Sequence, residues 1–156
     1  MNKLPAADLD GTIVSYGDGA IRFNSSFTLS LAHAGDKVIN IITNQGGLVF
    51  GLRTAAQVVE RLRVATEGLA ASGVKVNAVY ICTAHAKASA EKRESAAAQL
   101  RELLPNAHVF SGIEYRKPNA LMLVAAKTSK YYGDSDEDAA AARNAGIPYV
   151  KIERFT

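Results

Sequence analysis

Apolar positions along this 156-residue chain fall into short runs separated by longer stretches with helical spacing. Leu4 to Ala7 reads as a first strand, weakened by Pro5 and closed by Asp8. Ile13 to Ser15 and Ala20 to Arg22 flank Tyr16-Gly17-Asp18-Gly19, a hairpin signal. A helix is expected from Ser25 or Ser26 to just before Gly35. Lys37 to Thr43 has a continuously apolar, β-branched centre, as a strand buried on both faces requires. Thr54 and Gln57 have capping-box spacing, and Val58, Leu62, Ala65 and Leu69 then recur on one helical face up to Gly73. Ala78 to Cys82 is the next strand. Ala90 to Leu104 is an alanine-rich helix ended by Pro105, and Val109-Phe110 is a short extended piece. Pro118 suits the first turn of a helix opened by Lys117. Tyr131 and Tyr132 read as sheet residues leading into Gly133-Asp134. Asp136 to Ala145 is a helix stopped at Gly146, and Tyr149 to Ile152 a last strand. This alternation predicts a three-layer, Rossmann-like α/β fold around a parallel sheet. With no linker or repeat, residues 1–156 are expected to form one domain.

Composition narrows the class. A hydrophobic content of 48% with 21% charged residues suits an ordinary soluble globular domain, and no apolar run is long enough to span a bilayer. The net charge of +3 is compatible with a phosphorylated or nucleic-acid substrate without demanding one. A single cysteine, Cys82, forms no internal disulfide, which suits a reducing cytosol. Asp8 and Asp10 arrive within ten residues of Met1, which leaves no room for a signal peptide and predicts a cytoplasmic protein.

The most informative segment is Asp8-Leu9-Asp10-Gly11-Thr12. Alternate side chains of an extended segment share a face, so Asp8 and Asp10 leave the first strand pointing the same way. Two carboxylates that close need a cation or a shared proton. In parallel α/β sheets, ligands sit beyond the carboxyl ends of the strands. Thr43-Asn44 and Asp134 fall at such ends, and Lys117 lies between them in the chain. Carboxylates with room for water suit Mg²⁺, and Lys with Thr suits a phosphoryl group. Other polar residues read more simply. Asp136 and Glu137 complement a helix dipole. Arg53, Arg61 and Arg63 read as a solvated helix face, and Cys82 as a buried strand end. His33 and His108 carry no partner pattern.

Four segments in order now carry a resemblance: DLDGT at Asp8 to Thr12, IITNQGG around Thr43, YRKP at Tyr115 to Pro118, and GDSDED at Gly133 to Asp138. Together they resemble the motifs of the haloacid dehalogenase (HAD) superfamily of phosphohydrolases, across nearly the whole chain. The resemblance implies a HAD-like fold and a phosphatase. It makes Asp8 the nucleophile that forms an aspartyl-phosphate and Asp10 the acid–base residue. It implies Mg²⁺ held by Asp8, the backbone carbonyl of Asp10, and Asp134. Thr43 and the amides at Asn44 would bind phosphate oxygens, with Arg116 and Lys117 on the substrate. Asp138 would orient Lys117 or a metal-bound water.

Two finer resemblances compete. TNQGGLVFG and GVKVNAVYICTAH are similar to the heptose-bisphosphate and histidinol-phosphate phosphatases. Those relatives usually carry a structural zinc loop, whereas Cys82 and His85 alone cannot close a four-ligand site, so no zinc is expected. DLDGT, TNQ and a zinc-free YRKP are also similar to the 3′-phosphatase domain of polynucleotide kinase-phosphatases. Leu121-Met122 departs from the Gly-Met pair common to both groups. Neither insertion point holds a cap domain, so the site is expected to be open. The basic charge and zinc-free YRKP favour nucleic-acid 3′-phosphate ends slightly over sugar phosphates. A phosphoacceptor receiver and an inactive phosphate-binding module are the readings from other classes. Oligomeric state and pathway are not legible in these residues.

Overall fold

A computed structural model describes residues 3–156. The β-branched and aromatic runs pair into one six-stranded sheet. Its strands are β1 (Leu4–Ala7), β4 (Val38–Asn44), β5 (Lys75–Cys82), β6 (His108–Phe110), β7 (Thr128–Gly133) and β8 (Tyr149–Lys151). They lie in the order β6-β5-β4-β1-β7-β8, and every neighbouring pair is parallel. The chain builds outward from β1 to β6, then returns to the other side of β1 for β7 and β8. This reversal puts the end of β1 at the middle of the sheet's carboxyl edge, where such folds bind ligands.

Five helices cover the faces: α1 (Ser25–Ala34), α2 (Ala55–Ala71), α3 (Ala90–Leu103), α4 (Leu121–Ala125) and α5 (Asp136–Ala145). Period-two alternation divides the core between them. On one face Ala7, Ile39, Ile41, Ile81 and Tyr132 pack with Phe27 and Leu31 of α1, Val58 to Leu69 of α2, and Leu100 of α3. On the other, Ala6, Ile42, Cys82 and Tyr131 pack with Met122 and Leu123 of α4 and Ala141 and Ala142 of α5. The result is the expected three-layer α/β fold.

Between β1 and α1 stands a two-stranded ribbon, β2 (Val14–Gly17) and β3 (Ala20–Phe23). Its turn needs two left-handed residues, supplied by Asp18 at φ +54° and Gly19 at φ +77°. The Thr54–Gln57 capping box that starts α2 is present in both directions, Gln57 N to Thr54 Oγ1 at 3.1 Å and Thr54 N to Gln57 Oε1 at 2.8 Å. One expected element differs. Lys117 does not open a helix: α4 starts only at Leu121, and Lys117 lies in the loop after a short 3₁₀ turn, Ile113–Tyr115. What holds that loop is the site itself. β5 begins at Lys75 rather than Ala78 because pairing with Val38 and Ile39 extends it. Among the described residues no helix is long and apolar enough to cross a membrane.

Candidate active site

β1 delivers Asp8 to the centre of the carboxyl edge, where its backbone N–H donates to Tyr132 O at 2.9 Å. Gly11 follows at φ +82°, and an added Cβ there would meet Asp134 Oδ2 at 2.3 Å. Glycine is therefore required twice over, by the left-handed backbone and by the approach of Asp134. That approach brings the ends of β1 and β7 together. Carboxylate oxygens of Asp8, Asp134 and Asp138 all lie within 4.8 Å of one another. Thr12 Oγ1 donates to Asp134 Oδ1 at 3.2 Å, and Arg154 Nε donates to Asp134 Oδ2 at 2.8 Å.

Lys117 is the cation of this cluster and is only 2% exposed. Its ammonium donates to Asp138 Oδ1 at 2.7 Å, Asp8 Oδ1 at 3.0 Å, Tyr131 Oη at 2.6 Å and Ile42 O at 3.2 Å. Burial alone would push the ammonium down, but the charges of Asp8 and Asp138 outweigh it and hold the pKa above the usual lysine value. Burial also works against the Asp138 carboxylate, yet Lys117 and the Ser135 hydroxyl keep it below the usual range. Asp8 goes the other way. Burial raises its carboxyl, Lys117 pulls it back, and the charges of Asp138 and Asp134 raise it again. Crowded oxygens of this kind suit a hard divalent cation. The donor set fits Mg²⁺, with Asp8 and Asp134 as carboxylate donors.

Asn44 explains the position of Lys117. Its Nδ2 donates to Lys117 O and its Oδ1 accepts from Lys117 N, both at 3.1 Å. Thr43 at the end of β4 is buried, with Oγ1 accepting from Gln45 Nε2 at 3.0 Å. Asp8, Asp10, Thr43, Asn44, Lys117 and Asp138 line one small cavity of about 150 Å³. Seven of the eight site residues named from the sequence therefore meet at this edge, with Asp134 joined through Asp8 and Asp138. Arg116 does not line that cavity. Its Nη1 donates to Ala84 O at 2.9 Å, beside Gly46.

Asp10 sits differently from Asp8. Its side chain stands outside the carboxylate cluster, bonded to Gln45 Nε2 at 2.9 Å, Arg53 Nη1 at 2.8 Å and Arg61 Nε at 3.2 Å. The reading of Arg53 and Arg61 as a solvated helix face is thus corrected. Arg53 precedes α2, and Arg61 is 8% exposed beneath Tyr16, its guanidinium 5.2 Å from the ring centroid. Arg63 alone fits that reading, paired to Glu60 and Glu67 on the surface. The signal for Arg61 was present: it lies three residues after Val58 and four before Ala65, at the edge of the apolar face. Gln45 adjoins the Thr43-Asn44 pair, whereas nothing in the local pattern marks Arg154 or the Tyr131 hydroxyl.

Cys82 and His85 stay apart from this chemistry. Cys82 Sγ is buried and accepts from Ala84 N at 3.4 Å, and burial pushes its thiol up. His85 Nδ1 accepts from Lys87 N at 3.1 Å. Among the described residues, neither belongs to the acidic cluster.

No protein-family model matches the chain, and no curated protein matches it. Solved structures do. A Mesorhizobium loti protein assigned as a HAD-like phosphatase is 26% identical, with a TM-score of 0.66 over 93% of this chain and 70% of that one. The D,D-heptose bisphosphate phosphatase of B. bronchiseptica, solved with magnesium and phosphate, is 21% identical, with a TM-score of 0.65 over 95% of this chain and 79% of that one. The second likeness is one of fold. The chain is thus similar in fold to HAD-like phosphatases, with the motif carboxylates gathered at one sheet edge.

Proposed function

We propose that this chain is a magnesium-dependent phosphomonoester hydrolase that works through Asp8, residues 1–156 acting as one catalytic domain without a cap. The observation that carries the reading is the meeting of Asp8, Thr43, Lys117, Asp134 and Asp138, drawn from three strand ends, one loop and the first turn of α5, around a single carboxylate.

Asp8 Oδ attacks phosphorus as the bond to the leaving oxygen breaks, and Asp10 gives that oxygen its proton. A water then attacks the aspartyl-phosphate, Asp10 takes the water's proton, and the P–O bond to Asp8 breaks to release phosphate. Thr43 and the Asn44 backbone hold phosphoryl oxygens. Lys117 offsets the charge of the phosphorylated aspartate, and Asp138 fixes the ammonium in place. Asp8, Asp134 and the Asp10 carbonyl would hold Mg²⁺, which supplies further neutralisation between nucleophile and phosphate.

For the substrate we favour a small phosphorylated metabolite such as a sugar phosphate. Two observations support it. One neighbour is named as a heptose-bisphosphate phosphatase, and the arginines at the mouth are paired tightly to Asp10 and Asp134 rather than set out along a strand-shaped track. A nucleic-acid 3′-phosphate end is the second reading, supported by Tyr16, which is 59% exposed beside the open mouth and offers a stacking face. The lone, buried cysteine supports a cytosolic setting.

The test is phosphate release with Mg²⁺ from a sugar-phosphate panel and from a 3′-phosphorylated oligonucleotide, with Asp8→Asn as the blank. Asp8→Asn should abolish turnover with its melting curve intact; appreciable turnover in that variant overturns the assignment. Asp10→Asn should lose most of its rate on an alkyl phosphate and much less on an activated aryl phosphate, whose leaving group needs little protonation.

A further inference from the structure

The phosphoryl cavity adjoins a second one. Asp8, Asp10 and Ser135 line both, and the second, of about 480 Å³, runs on past Ser15, Tyr16, Arg53 and Arg61. Its chemistry is not that of the first. Two guanidinium groups face one carboxylate, Asp10. Arg53 spends only Nη1, on Asp10 and Gln45 Oε1, and Arg61 only Nε. A guanidinium carries five N–H donors in a planar fork, so several remain. Among the described residues, the Nη atoms of Arg61 make no protein hydrogen bond, although the residue is 92% removed from solvent, the complement of its 8% exposure. Ser15 is equally buried, and its Oγ is the one buried side-chain polar atom among the described residues without a partner. A buried hydroxyl without a partner is costly unless a ligand completes it, and the unspent Nη donors of Arg61, which keep access to solvent, lie in the same cavity. Asp134 and Arg154 line the same cavity as a further ion pair, and the hydroxyl and guanidinium donors beside them suit an anionic oxygen acceptor.

The place of this pocket says which part of the substrate enters it. Asp10 protonates the leaving oxygen, and the arginines lie on the side of Asp10 away from the Lys117 cluster. A group seated on them therefore belongs to the leaving alcohol and not to the transferred phosphoryl group. Resting on the phosphatase reading above, we propose that Ser15, Arg53 and Arg61 form a second anion site, and that the substrate is a phosphomonoester whose alcohol portion carries a further phosphate or carboxylate. The substrate's anion takes up the free forks of both arginines, with Tyr16 closing over Arg61. Arg53 and Arg61 are then specificity-determining residues as well as the groups that position Asp10.

The experiment compares three substrates with Mg²⁺: a phosphorylated neutral polyol, the corresponding bisphosphate, and a phosphorylated hydroxy acid. The wild type should prefer at least one anionic substrate over the neutral one in kcat/KM, and whichever is preferred names the second anion. Arg53→Gln should cut that preference by about tenfold to a hundredfold, the scale of one charge-assisted hydrogen bond, chiefly through KM. Arg53→Lys, which keeps the charge and loses the fork, should restore part of it, and it serves equally if Arg53→Gln does not fold. Equal loss on neutral and anionic substrates would mean that Arg53 only positions Asp10, and would overturn the proposal. Turnover without any preference in the wild type overturns it too and leaves the phosphatase reading standing. Release no faster than the Asp8→Asn blank on all three substrates overturns both.

Discussion

Replacing Gly11 by alanine tests whether the close approach of the β1 and β7 ends builds the site. Gly19 is the natural control, because both residues are left-handed, at φ +82° and +77°. A non-glycine residue in that conformation costs about 1–2 kcal/mol. At Gly19 an added Cβ meets nothing within 4 Å, so Gly19→Ala should cost that much and no more. At Gly11 the same Cβ lies 2.3 Å from Asp134 Oδ2 and 2.8 Å from Asp134 Cγ. Asp134 is held by Thr12 and Arg154, and Gly11 by its N–H to Val14 O at 2.8 Å and by Phe155 N on its carbonyl at 2.9 Å. Neither side yields freely, so overpacking adds roughly 1–3 kcal/mol. At about 2–4 °C per kcal/mol for a chain of this size, Gly11→Ala should melt roughly 2–12 °C below Gly19→Ala. It should also need more Mg²⁺ for half-maximal phosphate release, because the Asp134 carboxylate is displaced. Thermal melts of the two variants, with a magnesium titration of activity, are the assay. Equal melting temperatures with an unchanged magnesium requirement would refute the reasoning.

Other outcomes follow from the buried charges. Lys117→Met leaves Asp8 and Asp138 facing each other without their shared cation and should destabilise the fold by about 3–5 kcal/mol, read by urea denaturation. Adding Asp138→Asn to it should recover part of that loss, and a double variant less stable than the single would contradict the account. At the far end of β7, Lys130 bonds Asp36 at 2.7 Å. Burial lowers the Lys130 pKa, but the bonds to Asp36 and Tyr132 more than reverse this and leave it raised. A raised folded pKa stabilises fully below the unfolded lysine value of about 10.4, and that contribution is lost as pH rises through the folded value. Wild-type melting temperature should therefore fall more steeply above about pH 10 than that of Lys130→Met, whereas parallel curves would exclude the linkage.

Much of this protein was legible in its residue order because the determining interactions are local. Period-two runs, the Thr54–Gln57 cap, and Gly35 and Gly146 at helix ends act within a few residues, so the elements and their parallel arrangement followed from the pattern. Asp8 and Asp10 were visible for the same reason, as a pair just past the end of one short strand, although the bend at Leu9 turns Asp10 to the arginines. The Lys117 loop was misread because its conformation is set by Asn44, 73 positions earlier, which pairs with both polar groups of the Lys117 backbone. Proline at position 118 gave a helix-start signal that this distant contact overrode. Arg53 and Arg61 were misread for a related reason. A polar residue at the edge of an apolar helical face looks solvated until another element covers it, and here the β2–β3 ribbon sets Tyr16 over Arg61. The order of residues determined which groups stand at the strand ends, since side-chain direction in a strand follows from its period. Only the tertiary structure decided which cation meets which carboxylate, because burial and charge pairing depend on neighbours that are close in space and far apart in the chain.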